Sequence, residues 1–439
     1  MRNISVIWEW VIRSKSMYFW LFVLTVLLTN LRQNVVTKFD CEICSDKARY
    51  FMYLPAAFYY GFEASQFPKD KGQRTGNGFY LDSIENKTIT KFTSGIAILQ
   101  LPFYGLGFIV DSIFSLEQTP FSKYYLVWVS LGSSFYLVLG LFYLKQTLAL
   151  FYSEKTAMAT SFLILLGTNL LYYTIDENLM SHLYSFTLCC IFSYNLLIYL
   201  KEGRNSSFVT FTIALAFAIW VRPTNALFAP LSIFIGLLLF PNEPKQLLPV
   251  FTIKKILVAI VVLITVFIPQ MVYWKYVFGH WVVWSYNGQA FTHILTPYFL
   301  EVWFSPQGGL FTYTPLILTS IFTGGYMIMK KNHQGWLVIG SFLMISYLCA
   351  SWNTPFFGEC NFGKRPFIEF YLFLSLALAY LIQNIKKTTA FRIPILLIIR
   401  FCVYFNLTVI GVFDTYFFGS TWDGSSYVHL LGKGLILIR

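Results

Sequence analysis

Apolar runs of bilayer-crossing length follow one another along almost the whole chain, and nothing else in the sequence constrains the fold as strongly. A run of about 17–25 mainly apolar residues suits a helix that crosses the hydrocarbon layer. Such runs occur near residues 16–33, 124–147, 156–175, 182–201, 206–222, 225–241, 253–275, 311–330, 335–352, 367–385 and 391–412. Only 12% of the 439 residues are charged and 56% are hydrophobic, too little charge to cover a soluble surface of this size. The expected fold is all-α and polytopic, a single integral membrane domain with about eleven transmembrane helices. The first apolar run follows Arg2, Arg13 and Lys15 and reads as an uncleaved start-transfer helix.

One further run, residues 94–114, decides the topology. It carries Pro102, three glycines and Asp111, which suit a broken segment packed on protein. If it crosses, the clusters Lys145/Lys155, Lys201/Arg204, Lys330/Lys331 and Lys386/Lys387 fall on the side opposite Arg2, Arg13 and Lys15. If it dips in and returns, or lies along the interface, all of them share the cytoplasm, as the positive-inside rule asks. The non-crossing reading puts the amino terminus inside. It sends residues 34–123 to the outer face as a large first loop with interfacial helices, together with the loops around 174–182, 276–310 and 353–366. The same scattering of basic clusters explains the net charge of +12 without a nucleic-acid partner.

Cys41 and Cys44, in "CEIC", lack the partners of a zinc site. In an oxidising compartment they could pair locally or remain free thiols, and the sequence leaves both readings open.

The outer loops supply Asp40, Glu42, Asp46, Lys47, Arg49, Lys91, Asp176, Glu177, His182, Arg222, Glu301, Glu359, Lys364 and Arg365. A carboxylate can take the proton of an acceptor hydroxyl, and Arg, Lys and His can hold a departing phosphate. That combination suits sugar transfer from a lipid phosphate. No G-x-G-x-x-G or P-loop is present for a nucleotide-linked donor.

Five stretches carry a resemblance. They are "SDKARYFMYLPAAF", "TKFTSGIAILQLPFYGLG", "YYTIDENLMSHLYSF", "SYNGQAFTHILTPYFLEVWFSPQGGLFTYTP" and "WNTPFFGECNFGKRPFIEFY", spanning about residues 40–370 in that order. Together they resemble the GT-C class of polytopic glycosyltransferases, in the broad relatedness of protein O-mannosyltransferases and aminoarabinose transferases, bacterial branch. The resemblance implies an inverting transfer from a polyprenyl-phosphate-sugar donor to an unidentified extracytoplasmic acceptor, in a bacterial plasma membrane. It maps the catalytic acid of the first outer loop onto Asp46. The sequence has no D-x-D, so divalent-metal use stays open and no cofactor is assigned.

Beside Asp46, Glu177 is the expected second acid. Arg49, Tyr50, Lys91, His182, Arg222, Tyr286, Lys364 and Arg365 are the expected substrate contacts. Each has an ordinary alternative. Asp46 could be a solvated loop acid, Arg222 could snorkel, His182 could be a satisfied structural residue, and Tyr50 could anchor at the interface. Arg222 gains weight from "WVRPTNALFAP", where Pro223 breaks the helix. A transporter or flippase of lipid-linked sugars is the alternative function, and it calls for charge inside the spans. A non-catalytic scaffold subunit is a third reading.

Overall fold

The computed structural model describes residues 2–35, 43–239, 252–285, 289–354, 361–385, 391–413 and 424–436. Helices dominate these residues. The exception is one small antiparallel hairpin in the first loop, Tyr80–Asp82 with Lys87–Ile89, in which Leu81 faces Thr88.

Among the described residues, six helices are long and apolar enough to cross a membrane: Gly95–Phe114, Lys123–Ala149, Ser181–Glu202, Ile253–Phe278, Arg365–Asn384 and Arg392–Phe413. Shorter apolar helices accompany them, among them Asn205–Val221, Leu316–Met329 and Gln334–Ala350. On Ile253–Phe278 the side chains of Leu257, Val261, Ile264 and Ile268 are exposed, and Arg392–Phe413 exposes Leu397, Ile398 and Phe401. Each would cost about 1.5–3 kcal/mol if left in water, so these faces suit hydrocarbon. Ser181–Glu202, by contrast, is buried along nearly its whole length.

The chain divides into two compact units. The first contains Met1–Ile89, Ile96–Leu139 and Tyr173–Met180. In it, the expected break at Pro102 does not occur: Gly95–Phe114 is one uninterrupted helix. At about 1.5 Å per residue it is about 30 Å long, so the segment does not dip in and return. The helix is braced from the neighbouring helix Lys123–Ala149. The Tyr136 hydroxyl donates to the Leu99 carbonyl at 2.9 Å, and Gln100 Nε2 donates to the Val129 carbonyl at 3.2 Å. Gly107 lies directly against Trp128, where an added Cβ would sit 2.6 Å from the indole. The neighbouring helix thus braces a proline-containing helix.

The second unit contains Thr90–Gly95, Gly140–Tyr172 and Ser181–Arg439. Ser181–Glu202 packs against Asn205–Val221, the two joined through Gly203 in the left-handed region at φ 68°. Leu316–Met329 and Gln334–Ala350 form a second helical pair, with Gly335 pressed against the Gly324 carbonyl. The expected span at 156–175 is shorter than its apolar run. The helix is Glu154–Gly167, and Thr168 leaves it in an extended conformation. The reason is local polarity: Thr168 Oγ1 donates back to the Ile164 carbonyl at 2.6 Å, and Asn406 Nδ2 takes the carbonyls of Leu166 and Thr168. These bonds replace those of a continuing helix.

Candidate functional site

In the first unit, Asp46 opens the six-residue helix Asp46–Phe51, following Ser45 at φ 54°. Its Oδ1 accepts from Arg49 at 2.9 Å, one helical turn on, and Arg49 Nε is tied to the Gly78 carbonyl at 2.5 Å. Arg49 is thereby fixed at both ends, and the Asp46 carboxylate remains about a quarter exposed at 24%. Lys47 donates to the Asp176 carbonyl at 3.2 Å and pairs with Glu177 at 3.3 Å. Asp176 in turn pairs with Arg32. The "DK" of the first loop and the "DE" of the second therefore lie in one charged cluster, with Arg32 as a member that the sequence reading did not name. Tyr50 is 5% exposed and belongs to the core of this unit, so its ring offers no open face. The hydrophobic side of its short helix decides that.

In the second unit, Asn205–Val221 ends at Arg222, which is extended at φ −153° and ψ 111°. Pro223, without an N–H, starts the turn Pro223–Leu227. Asn225 ties this turn back by donating to Ser185 Oγ at 2.8 Å and to the Ala218 carbonyl at 2.9 Å. The break expected from the sequence is present, and it sets the Arg222 side chain against His182. One guanidinium nitrogen, Nη1, lies 3.0 Å from His182 Nδ1 and 3.1 Å from Nε2. His182 Nδ1 is also 3.1 Å from Oε1 of Glu369, and Arg222 Nη1 is 3.6 Å from the same oxygen. Arg222 Nε donates to Thr224 Oγ1 at 3.0 Å.

Glu369 was not among the expected site residues. The signal was present: "RPFIEFYLFL" sets a single acid inside an apolar run, and an ionisable residue there is suspect by default. Lys364 and Arg365 stand at the start of the same segment. Lys364 is buried, which pushes its ammonium down to about 8, with the Arg365 charge acting in the same direction and the neighbouring Cys349 opposing.

Among the remaining expected contacts, Lys91 donates to Gln289 Oε1 at 3.4 Å and lies over the Phe92 ring, within the second unit. Tyr286, with Asp40, Cys41, Glu42 and Glu359, lies outside the described residues. Cys44 is disulfide-bonded. Among the described residues no group of three or more His, Cys, Asp or Glu side chains is arranged to hold a metal ion. Asp46, Arg49 and Glu177 thus belong to the first unit, and His182, Arg222, Lys364 and Arg365 to the second.

The geometry defines a class before it defines a protein: a helical chain with membrane-length helices and two clusters of buried or half-buried charge. Comparison of the chain with protein-family models, curated proteins and solved structures found no match.

Proposed function

We propose that this protein is a polytopic membrane glycosyltransferase of the GT-C kind, transferring a sugar from a polyprenyl-phosphate donor to an acceptor outside the cytoplasm. The observation that carries the reading is the Asp46 carboxylate, partly exposed and held in one orientation by an arginine that is itself anchored on the Gly78 carbonyl. A fixed, accessible carboxylate is what a general base requires. In the transfer, Asp46 takes the acceptor hydroxyl's proton and the acceptor oxygen attacks the anomeric carbon opposite the phosphate. The bond from that carbon to the phosphate oxygen breaks, and polyprenyl phosphate leaves as the anion. A single displacement inverts the anomeric centre. Glu177, in the same unit as Asp46, supports the acid cluster.

The reading uses eleven membrane-embedded helices with the amino terminus inside. Gly95–Phe114 then lies along the outer interface, since a crossing would split the basic clusters between two sides. The disulfide at Cys44 suits an oxidising, extracytoplasmic location for the first loop.

Glu369 favours one second reading. An acid within a span-length segment, paired with His182 and Arg222, also suits a transporter or flippase of lipid-linked sugars. Purified protein in lipid nanodiscs, given a synthetic polyprenyl-phosphate sugar, separates the two. Sugar release that is lost in Asp46→Asn supports transfer. Movement of the donor between leaflets without release supports transport and refutes the enzyme reading.

A further inference from the structure

Arg222 carries five N–H donors in a planar fork. Its Nε is committed to Thr224, and Nη1 is committed to His182 and Glu369. Its other terminal nitrogen donates to no described residue, although the side chain is only 16% exposed. That nitrogen is not among the fully buried unpartnered atoms, so it stands open to a ligand from the accessible side. The residues holding the other two nitrogens are themselves rigid: Thr224 lies in the Pro223–Leu227 turn that Asn225 ties to Ser185, and His182 and Glu369 are 1% and 2% exposed.

Glu369 adds a second observation. Its Oε1 takes both contacts, and its Oε2 is buried with no hydrogen-bond partner among the described residues. Burying a carboxylate this way contributes little to stability, because desolvation offsets the Coulombic gain. Its effect is on direction: with His182 it fixes which edge of the Arg222 fork is used inward and which is left for something else.

The geometry points to Glu369 as a positioning residue that, with His182 and Thr224, orients Arg222 so that its uncommitted edge grips an oxyanion of the phosphate class. The inference rests on the proposed function for its ligand, the phosphate of a polyprenyl lipid, but its test needs no turnover. The full chain in nanodiscs is titrated with polyprenyl monophosphate, with inorganic phosphate as a competitor and phosphatidylglycerol as a lipid control. Arg222→Lys keeps the charge beside Glu369 and loses the fork, and it is expected to weaken polyprenyl phosphate binding about tenfold. Glu369→Gln is expected to weaken it about as much, and the double variant no further, since Glu369 acts only through Arg222.

Additive losses in the double variant, or unchanged affinity in either single variant, overturn the inference. So does equal, Arg222-independent binding of phosphatidylglycerol. Competition by inorganic phosphate that disappears in Arg222→Lys supports the oxyanion contact and identifies free phosphate as sufficient. Should Glu369→Gln fail to fold, Thr224→Val removes the other restraint and is held to the same non-additivity. Arg222-dependent binding without any sugar release leaves this inference standing and removes the transfer reading alone.

Discussion

His182 Nδ1 lies 3.1 Å from Glu369 Oε1, with both side chains almost wholly out of solvent, although 187 residues separate them in the chain. Arg222 reaches both, so three ionisable groups share one buried position. Removing one member leaves the others uncompensated. Glu369→Ala is expected to destabilise the protein by about 3–5 kcal/mol, whereas replacing Glu369, His182 and Arg222 together by leucine costs markedly less. Chemical unfolding in detergent measures both. Equal costs would contradict the coupling.

At Asp46 the expectation is reversed, with a large effect on rate and a small one on stability. Asp46→Asn should lower sugar release about 10²–10⁴-fold, the range for losing a general base. The ion pair with Arg49 is partly exposed, so unfolding should shift by less than about 1 kcal/mol. A variant that turns over normally takes Asp46 out of the chemistry.

Lys364 gives the molecule a pH dependence. Burial lowers its ammonium from 10.5 unfolded to about 8 folded. Between these values the unfolded chain binds the extra proton, so stability rises as pH climbs through that window, by about 3 kcal/mol in all. Below about 8 the full penalty of the buried charge is present. Thermal melts from pH 7 to 10.5 should show the rise in the parent protein, and Lys364→Met should flatten it.

Close helix packing in the second unit is tested at Gly335. A Cβ there would lie 2.7 Å from the Gly324 carbonyl and 2.8 Å from Ile328 N, both backbone atoms that cannot swing aside. Gly335→Ala is expected to cost about 1–3 kcal/mol by forcing the pair apart. Gly340 lies in the same helix with nothing within 4 Å, and Gly340→Ala should stabilise by up to about 1 kcal/mol. Unfolding midpoints of the two variants should therefore move in opposite directions.

Much of the helical framework was legible. The run at 182–201 became Ser181–Glu202, and the run at 206–222 stopped at Val221 just before Pro223. Both follow from local chemistry, apolar length in one case and a missing N–H in the other. Pro102 misled for the same reason read in isolation: a proline breaks a helix unless its surroundings repair it, and here Tyr136 and Gln100 brace the segment from across the helix pair. The site was legible in part. His182 and Arg222, both named from the sequence as substrate contacts, lie against each other, while Glu369, which joins them, stands unremarked inside an apolar run. Tyr50 shows the opposite case, a ring expected at a surface that its short helix turns into the core.

By itself the sequence determined the class: a chain this apolar, punctuated by basic clusters, builds helices long and apolar enough to cross a membrane. It also determined where charge stands along the chain. Which charges pair was decided only by tertiary structure, as when Arg32 meets Asp176 and Glu369 meets His182 across more than a hundred residues. The physical reason is range. Helix formation depends on neighbours within a turn or two, whereas a buried ion pair depends on which helices pack side by side, and helices of similar apolar character leave that open until every contact is made.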